Sequence, residues 1–97
     1  MVFDISKVAG IGEYAIKPEK SRTIYVVDEQ AFLVVNSNTI EIRCDAKLGN
    51  LLKTKYESVM ESRYFGRGGI EIVLAGQLSN TELADLVRLS YNLTVKS

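Results

Sequence analysis

The stretch from Ile70 to Tyr91 constrains this chain more than any other. Ile70, Ile72 and Leu74 alternate with Glu71, Val73 and Ala75, which is the period of a strand with one buried face. Gly76 supplies a turn. Ser79 then stands three residues before Glu82, the spacing of a reciprocal capping box, with Leu78 and Leu83 at the staple positions on either side. Leu83, Leu86, Val87, Ser90 and Tyr91 share one face of the helix that starts there. A strand that turns straight into a capped amphipathic helix lays that helix against a sheet. Ser90, small and near the centre of the inward face, permits a close approach, and its hydroxyl can bond back to the carbonyl of Leu86.

Upstream, Thr23 to Val27 and Ala31 to Val35 are β-branched and aromatic-rich runs separated by Asp28-Glu29-Gln30, which reads as a hairpin. After a turn at Asn36-Ser37-Asn38, Thr39 to Cys44 alternates, with Ile40, Ile42 and Cys44 expected inward and Thr39, Glu41 and Arg43 outward. Asp45 can cap a helix whose apolar stripe is Leu48, Leu51 and Leu52, and in which Gly49 costs about 1 kcal/mol relative to alanine. Glu61 to Phe65 reads as a fourth strand, joined by the loop Gly66-Arg67-Gly68-Gly69 to the strand at Ile70. Residues 2 to 22 read as irregular, because Gly10, Gly12 and Pro18 limit any helix to a short piece around Phe3 to Ala9.

Composition narrows the function classes. With 97 residues, 46% of them hydrophobic, the chain is expected to form one domain spanning residues 1 to 97. Twelve basic and twelve acidic residues cancel, so no global field draws it to nucleic acid or to an anionic membrane, and charged recognition has to be local. The single cysteine, Cys44, has no intramolecular disulfide partner, and the N-terminus lacks the basic start and apolar run of a signal peptide. No window approaches the roughly 18 apolar residues of a membrane span. The expectation is a cytoplasmic protein without a membrane partner.

Taken together, Arg43-Cys44-Asp45, Leu48, Leu51-Leu52, Tyr56, Ile70 to Gly76, Ser79 to Leu83 and Ser90-Tyr91 resemble the YjbR/MmcQ family of small proteins, from about Thr23 to Val95. Val8 to Glu13 is similar to the family's short segment before its first strand. The resemblance implies an α+β fold: a two-layer sandwich with an antiparallel five-stranded sheet and helices on one side, in the order α-β-β-β-α-β-β-α, as also seen in type III secretion chaperones. Members are often described as having a double-wing, DNA-binding-like shape. Where the family commonly carries a Lys-Lys-His-Trp-like stretch, this chain has Phe65-Gly66-Arg67-Gly68-Gly69, so roles resting on that histidine or tryptophan do not transfer.

Chemistry-bearing patterns are sparse. Gly10-Ile11-Gly12-Glu13-Tyr14-Ala15 matches the glycine fingerprint of dinucleotide folds, but it neither follows a strand nor opens a crossover helix, so no cofactor is expected. The chain contains no histidine, which leaves Ser90 and Cys44 without their usual activating base and removes the common zinc sets, so neither catalysis nor metal binding is expected. Acidic residues are spread along the chain and read as solvated or as helix-dipole partners.

The most functional-looking stretch is Arg43 to Arg67, with six basic residues against Asp45, Glu57 and Glu61. Lys47, Lys53, Arg63 and Arg67 are the candidate contacts to DNA or another anionic partner, phosphate contacts dominating. The same stretch also reads more simply, with glycines serving a hairpin and with Tyr64 and Phe65 in the core. A non-enzymatic binding module is therefore expected. A module capturing a peptide or protein at a sheet edge or apolar patch is the alternative.

Overall fold

The computed structural model describes residues 3 to 96. A short 3-10 helix, Ile5–Lys7, stands where a longer helical piece was expected, and its buried Ile5 joins the core together with Val8. Strands β1 (Ala15–Pro18), β2 (Thr23–Val27), β3 (Gln30–Val35) and β4 (Thr39–Arg43) follow, then helix α1 (Ala46–Lys55), strands β5 (Val59–Ser62) and β6 (Gly66–Val73), and helix α2 (Asn80–Lys96). One antiparallel sheet results, in the order β1-β2-β3-β4-β6-β5.

Six strands replace the five expected. The extra one is β1, an exposed edge strand that pairs with β2 from Ala15 opposite Val26 to Pro18 opposite Thr23. Nothing in its own sequence marks it, because it buries no side chain, and Pro18 stands at its end, where an edge tolerates a missing donor. The strand expected at Glu61 to Phe65 ends at Ser62, and the glycine segment expected as a loop opens β6 instead.

The two local helix signals hold. Asp45 caps α1, its carboxylate accepting from the amide of Leu48 at 2.8 Å. At α2 the Ser79 hydroxyl accepts from the amide of Glu82 at 3.2 Å, while the Glu82 carboxylate accepts from the amide of Ser79 at 2.9 Å, with Leu78 and Leu83 buried alongside.

Both helices lie on one face of the sheet. Leu83, Val87 and Tyr91 of α2 and Leu48 and Leu52 of α1 share a core with Phe32, Ile40, Ile42, Ile70 and Ile72, whereas Leu51 is 62% exposed. Leu86 is only half-buried, and Thr94 completes the inward stripe of α2. Gly49 is buried against the sheet, where an added Cβ would sit 3.2 Å from the Cys44 sulfur. The glycine that weakens α1 locally is what lets it approach β4 and β6 closely.

Ser90 does more than save space. Its hydroxyl donates to the carbonyl of Phe32 at 2.6 Å and accepts from the amide of Arg43 at 2.8 Å. The β3–β4 register, with Leu33 opposite Ile42, would set those two groups against each other. Ser90 instead enters the ladder and binds both. Ser90→Ala should therefore cost about 1–3 kcal/mol by leaving a buried donor and acceptor unmatched, read as a fall in the denaturant midpoint at constant slope. An unchanged midpoint would show that the two strands close without the hydroxyl.

Candidate functional site

The four basic residues expected to act together are separated by the fold. Lys53, half-buried on α1, and Arg67, exposed on β6, line one cleft of about 240 Å³ with Asn50, Gly49, Glu61 and Gly69. The cleft forms where α1 packs on the β5–β6 hairpin, so helix and strand each deliver one cation. Lys47 is exposed on α1 but does not line this cleft.

Arg63 is committed elsewhere. Its Nε and Nη2 donate to the two carboxylate oxygens of Glu71 at 3.0 and 2.8 Å, a bidentate pair that fixes the side chain although it is 75% exposed. The strong donation to Glu71 raises the guanidinium pKa further above its ordinary value. A flexible phosphate-seeking arginine was expected here, and a tethered one is found.

Glu71 and Glu41 also depart from expectation. Both were read as solvated, yet they are 3% and 2% exposed and face each other directly across β4 and β6. The helix-free face is covered at this point by the segment from Arg63 to Phe65. Glu41 accepts from Asn36 Nδ2 at 3.0 Å, from the Ser62 hydroxyl at 2.8 Å and from the amide of Tyr64 at 2.8 Å. Thr39 donates to Glu71 at 2.7 Å and accepts from Asn36 at 2.9 Å, joining the two carboxylates into one network. Burial pushes the Glu41 carboxyl up, but the donors Asn36, Tyr64 and Ser62 and the charge of Arg63 more than offset it, leaving the group below the usual carboxylate range.

Aromatic contacts complete this face. Phe65 meets Tyr64 edge-on at 4.9 Å, Arg43 lies 4.9 Å over the Phe65 ring, and Arg22 lies 5.2 Å over Tyr64. Gly69 makes room beneath Phe65, since a Cβ there would come within 2.7 Å of the Phe65 Cβ. Phe65 also packs on a second apolar cluster, Ile24, Val26, Ala31 and Val34, separate from the main core. Single-residue reasoning missed the network. One signal was present: the triplet Ile-Glu-Ile occurs at residues 40–42 and again at 70–72, and the two triplets pair in register.

The remaining features carry little chemistry. Burial, followed by the charge of Asp45, pushes the Cys44 thiol up, away from the reactive thiolate. The glycine segment at residues 10–15 follows the 3-10 helix and leads into β1, so it opens no helix. A larger cleft of about 480 Å³ lies between the N-terminal segment and α2, lined by Phe3, Val8, Leu74 and Leu83 together with Lys7 and Arg88, but Arg88 is already bonded to Ala9 and Asp85. No helix among the described residues is long and apolar enough to cross a membrane. In comparison with known proteins, no family model, curated protein or solved structure matches the chain.

Proposed function

We propose that the chain is a non-enzymatic, YjbR-like binding module of a reducing cytoplasm, and that it holds an anionic partner, DNA first among them, at the cleft between Lys53 and Arg67. The observation that carries this reading is the convergence of those two cations, from a helix and a strand, on one open cleft in which Glu61 is the single acidic residue of the lining. Supporting the family reading is the order of strands and helices from β2 to α2, which follows the expected one, although the first helix is reduced to a 3-10 turn and an edge strand, β1, is added before β2. Arg63 drops out of the contact set because Glu71 holds it, and Lys47 is left as a peripheral charge.

Replacing Lys53 and Arg67 together with alanine should weaken binding to duplex DNA equally at all sequences and flatten the dependence of log affinity on log salt by about 2. Fluorescence anisotropy at low salt measures both. The reading is wrong if wild type shows no binding at tens of micromolar, or if the double variant binds as wild type does.

A second reading, peptide capture by strand addition, is favoured by one feature. β1 is an outer strand whose four residues are all exposed, with Ile16 at 54%. Capture there would barely respond to salt.

A further inference from the structure

The helix-free face holds two buried carboxylates directly opposite each other, an arrangement that destabilises a strand pair unless it is countered. The guanidinium of Arg63 is bonded to Glu71, and Glu41 feels it only as a nearby charge. The connection between β5 and β6 is tied down through the same two acids. Arg63 binds Glu71, the Tyr64 amide binds Glu41, and the Phe65 amide binds the Ser62 hydroxyl at 2.8 Å, which itself donates to Glu41. No residue of this connection belongs to the main core, and Phe65 is the part of it that covers the second cluster.

We propose that Arg63 to Phe65 form a strap whose closure is governed by the Glu41–Glu71 pair. With both acids ionised and Arg63 in place the strap lies shut. When the acids are neutralised or Arg63 is removed, it lifts as a unit and bares Ile24, Val26, Ala31 and Val34 while the main core stays folded.

The physical basis is the joint weakening of the anchors that end on these acids: Arg63 on Glu71, and the Ser62 hydroxyl and Tyr64 amide on Glu41. Hydrogen bonds to an ionised carboxylate are roughly twice as strong as neutral ones, so protonating Glu41 weakens the hold on Ser62 and Tyr64, and protonating Glu71 releases the charge pairing of Arg63. The other charged groups on this face come from neighbouring elements: Lys17 of β1, in register with Ile24; Arg22 before β2, bonded to Glu19 and lying over Tyr64; and Arg43 of β4, bonded to the carbonyl of Ala31 and lying over Phe65. Lys17 and Arg43 are cations, and the one acid among these groups, Glu19, is held by Arg22, so none replaces Glu41 or Glu71 as an anchor. The two apolar clusters are distinct, which permits local opening below the cost of global unfolding.

Amide hydrogen exchange near neutral pH on the whole chain, wild type against Arg63→Gln, tests the strap. The Tyr64 and Phe65 amides should exchange about tenfold faster or more in the variant, while the Val87 amide of α2 stays within about twofold. Equal protection at Tyr64 and Phe65 in both proteins overturns the proposal. Should Arg63→Gln fail to fold, an acid titration of wild type followed by NMR decides. Ring resonances of Tyr64 and Phe65 moving at higher pH than those of Tyr91 support a strap, and all three moving in one step sink it.

Discussion

Glu41→Ala should lower the unfolding free energy by about 3–5 kcal/mol, far more than a change at a strand position read as solvent-facing would produce. Three donors, Asn36, Ser62 and the Tyr64 amide, converge on this carboxylate beneath the strap. Alanine leaves the Ser62 hydroxyl and the Tyr64 amide without their acceptor. Relief of the repulsion with Glu71 returns only part of that loss. Glu41→Gln separates shape from charge, because it keeps an acceptor oxygen but opposes its own amide to that of Asn36, and it should cost about 1–2 kcal/mol.

The same residue sets an acid limit. The folded pKa of Glu41 is lowered, so the unfolded chain binds the extra proton. Its contribution is therefore fully present above the unfolded value of about 4.3 and is lost as pH falls through the lower folded value. Denaturant midpoints of wild type should decline below about pH 4, and the decline should be shallower in Glu41→Gln. Were Glu41→Ala as mild as a change at the exposed Glu57, the buried network would have no energetic standing.

Phe32→Ala should cost about 3–5 kcal/mol. The ring is fully buried and meets Tyr91 edge-on at 5.0 Å and Tyr14 at 6.2 Å. Phe32 is also the extra residue of β3 where pairing with β2 skips, from Leu33 opposite Tyr25 to Ala31 opposite Val26. Its side chain thereby reaches α2 while its carbonyl receives Ser90. Because Tyr91 donates to the carbonyl of Glu13 at 2.9 Å, the loss should also loosen the segment before β1, visible as faster exchange at Tyr14 and Ala15. Leu51→Ala, at an exposed position, is the control and should stay within about 0.5 kcal/mol. A Phe32→Ala variant no worse than that control would mean that neighbouring side chains close the cavity at little cost.

How much of this was legible follows the range of each interaction. Asp45 to Leu48 and Ser79 to Glu82 are three residues apart, so cap and partner are readable side by side. The β2–β3 hairpin was equally plain, two apolar runs around a short turn, although the turn proved to be Asp28-Glu29 with both residues at positive φ. The inward alternation of Ile40, Ile42, Ile70 and Ile72 was correct for the same reason, since period-2 patterning reports one buried face.

The opposite face could not be read this way. Whether Glu41 meets water depends on Glu71, thirty residues further along, and on a connection that folds back over both, and no local pattern encodes a cover supplied from elsewhere. Arg63 and Arg67 lie four residues apart in a basic, glycine-rich run and read alike, yet one is bound to a buried acid and the other lines an open cleft. The chain's local chemistry determined where the helices start, that β2 and β3 pair, and which side chains of β4 and β6 turn inward, because those are contests among residues a few positions apart. Only the tertiary structure decided which charges are free to meet a partner, because a salt bridge is settled by what the fold brings within about 4 Å and by how much water it leaves there.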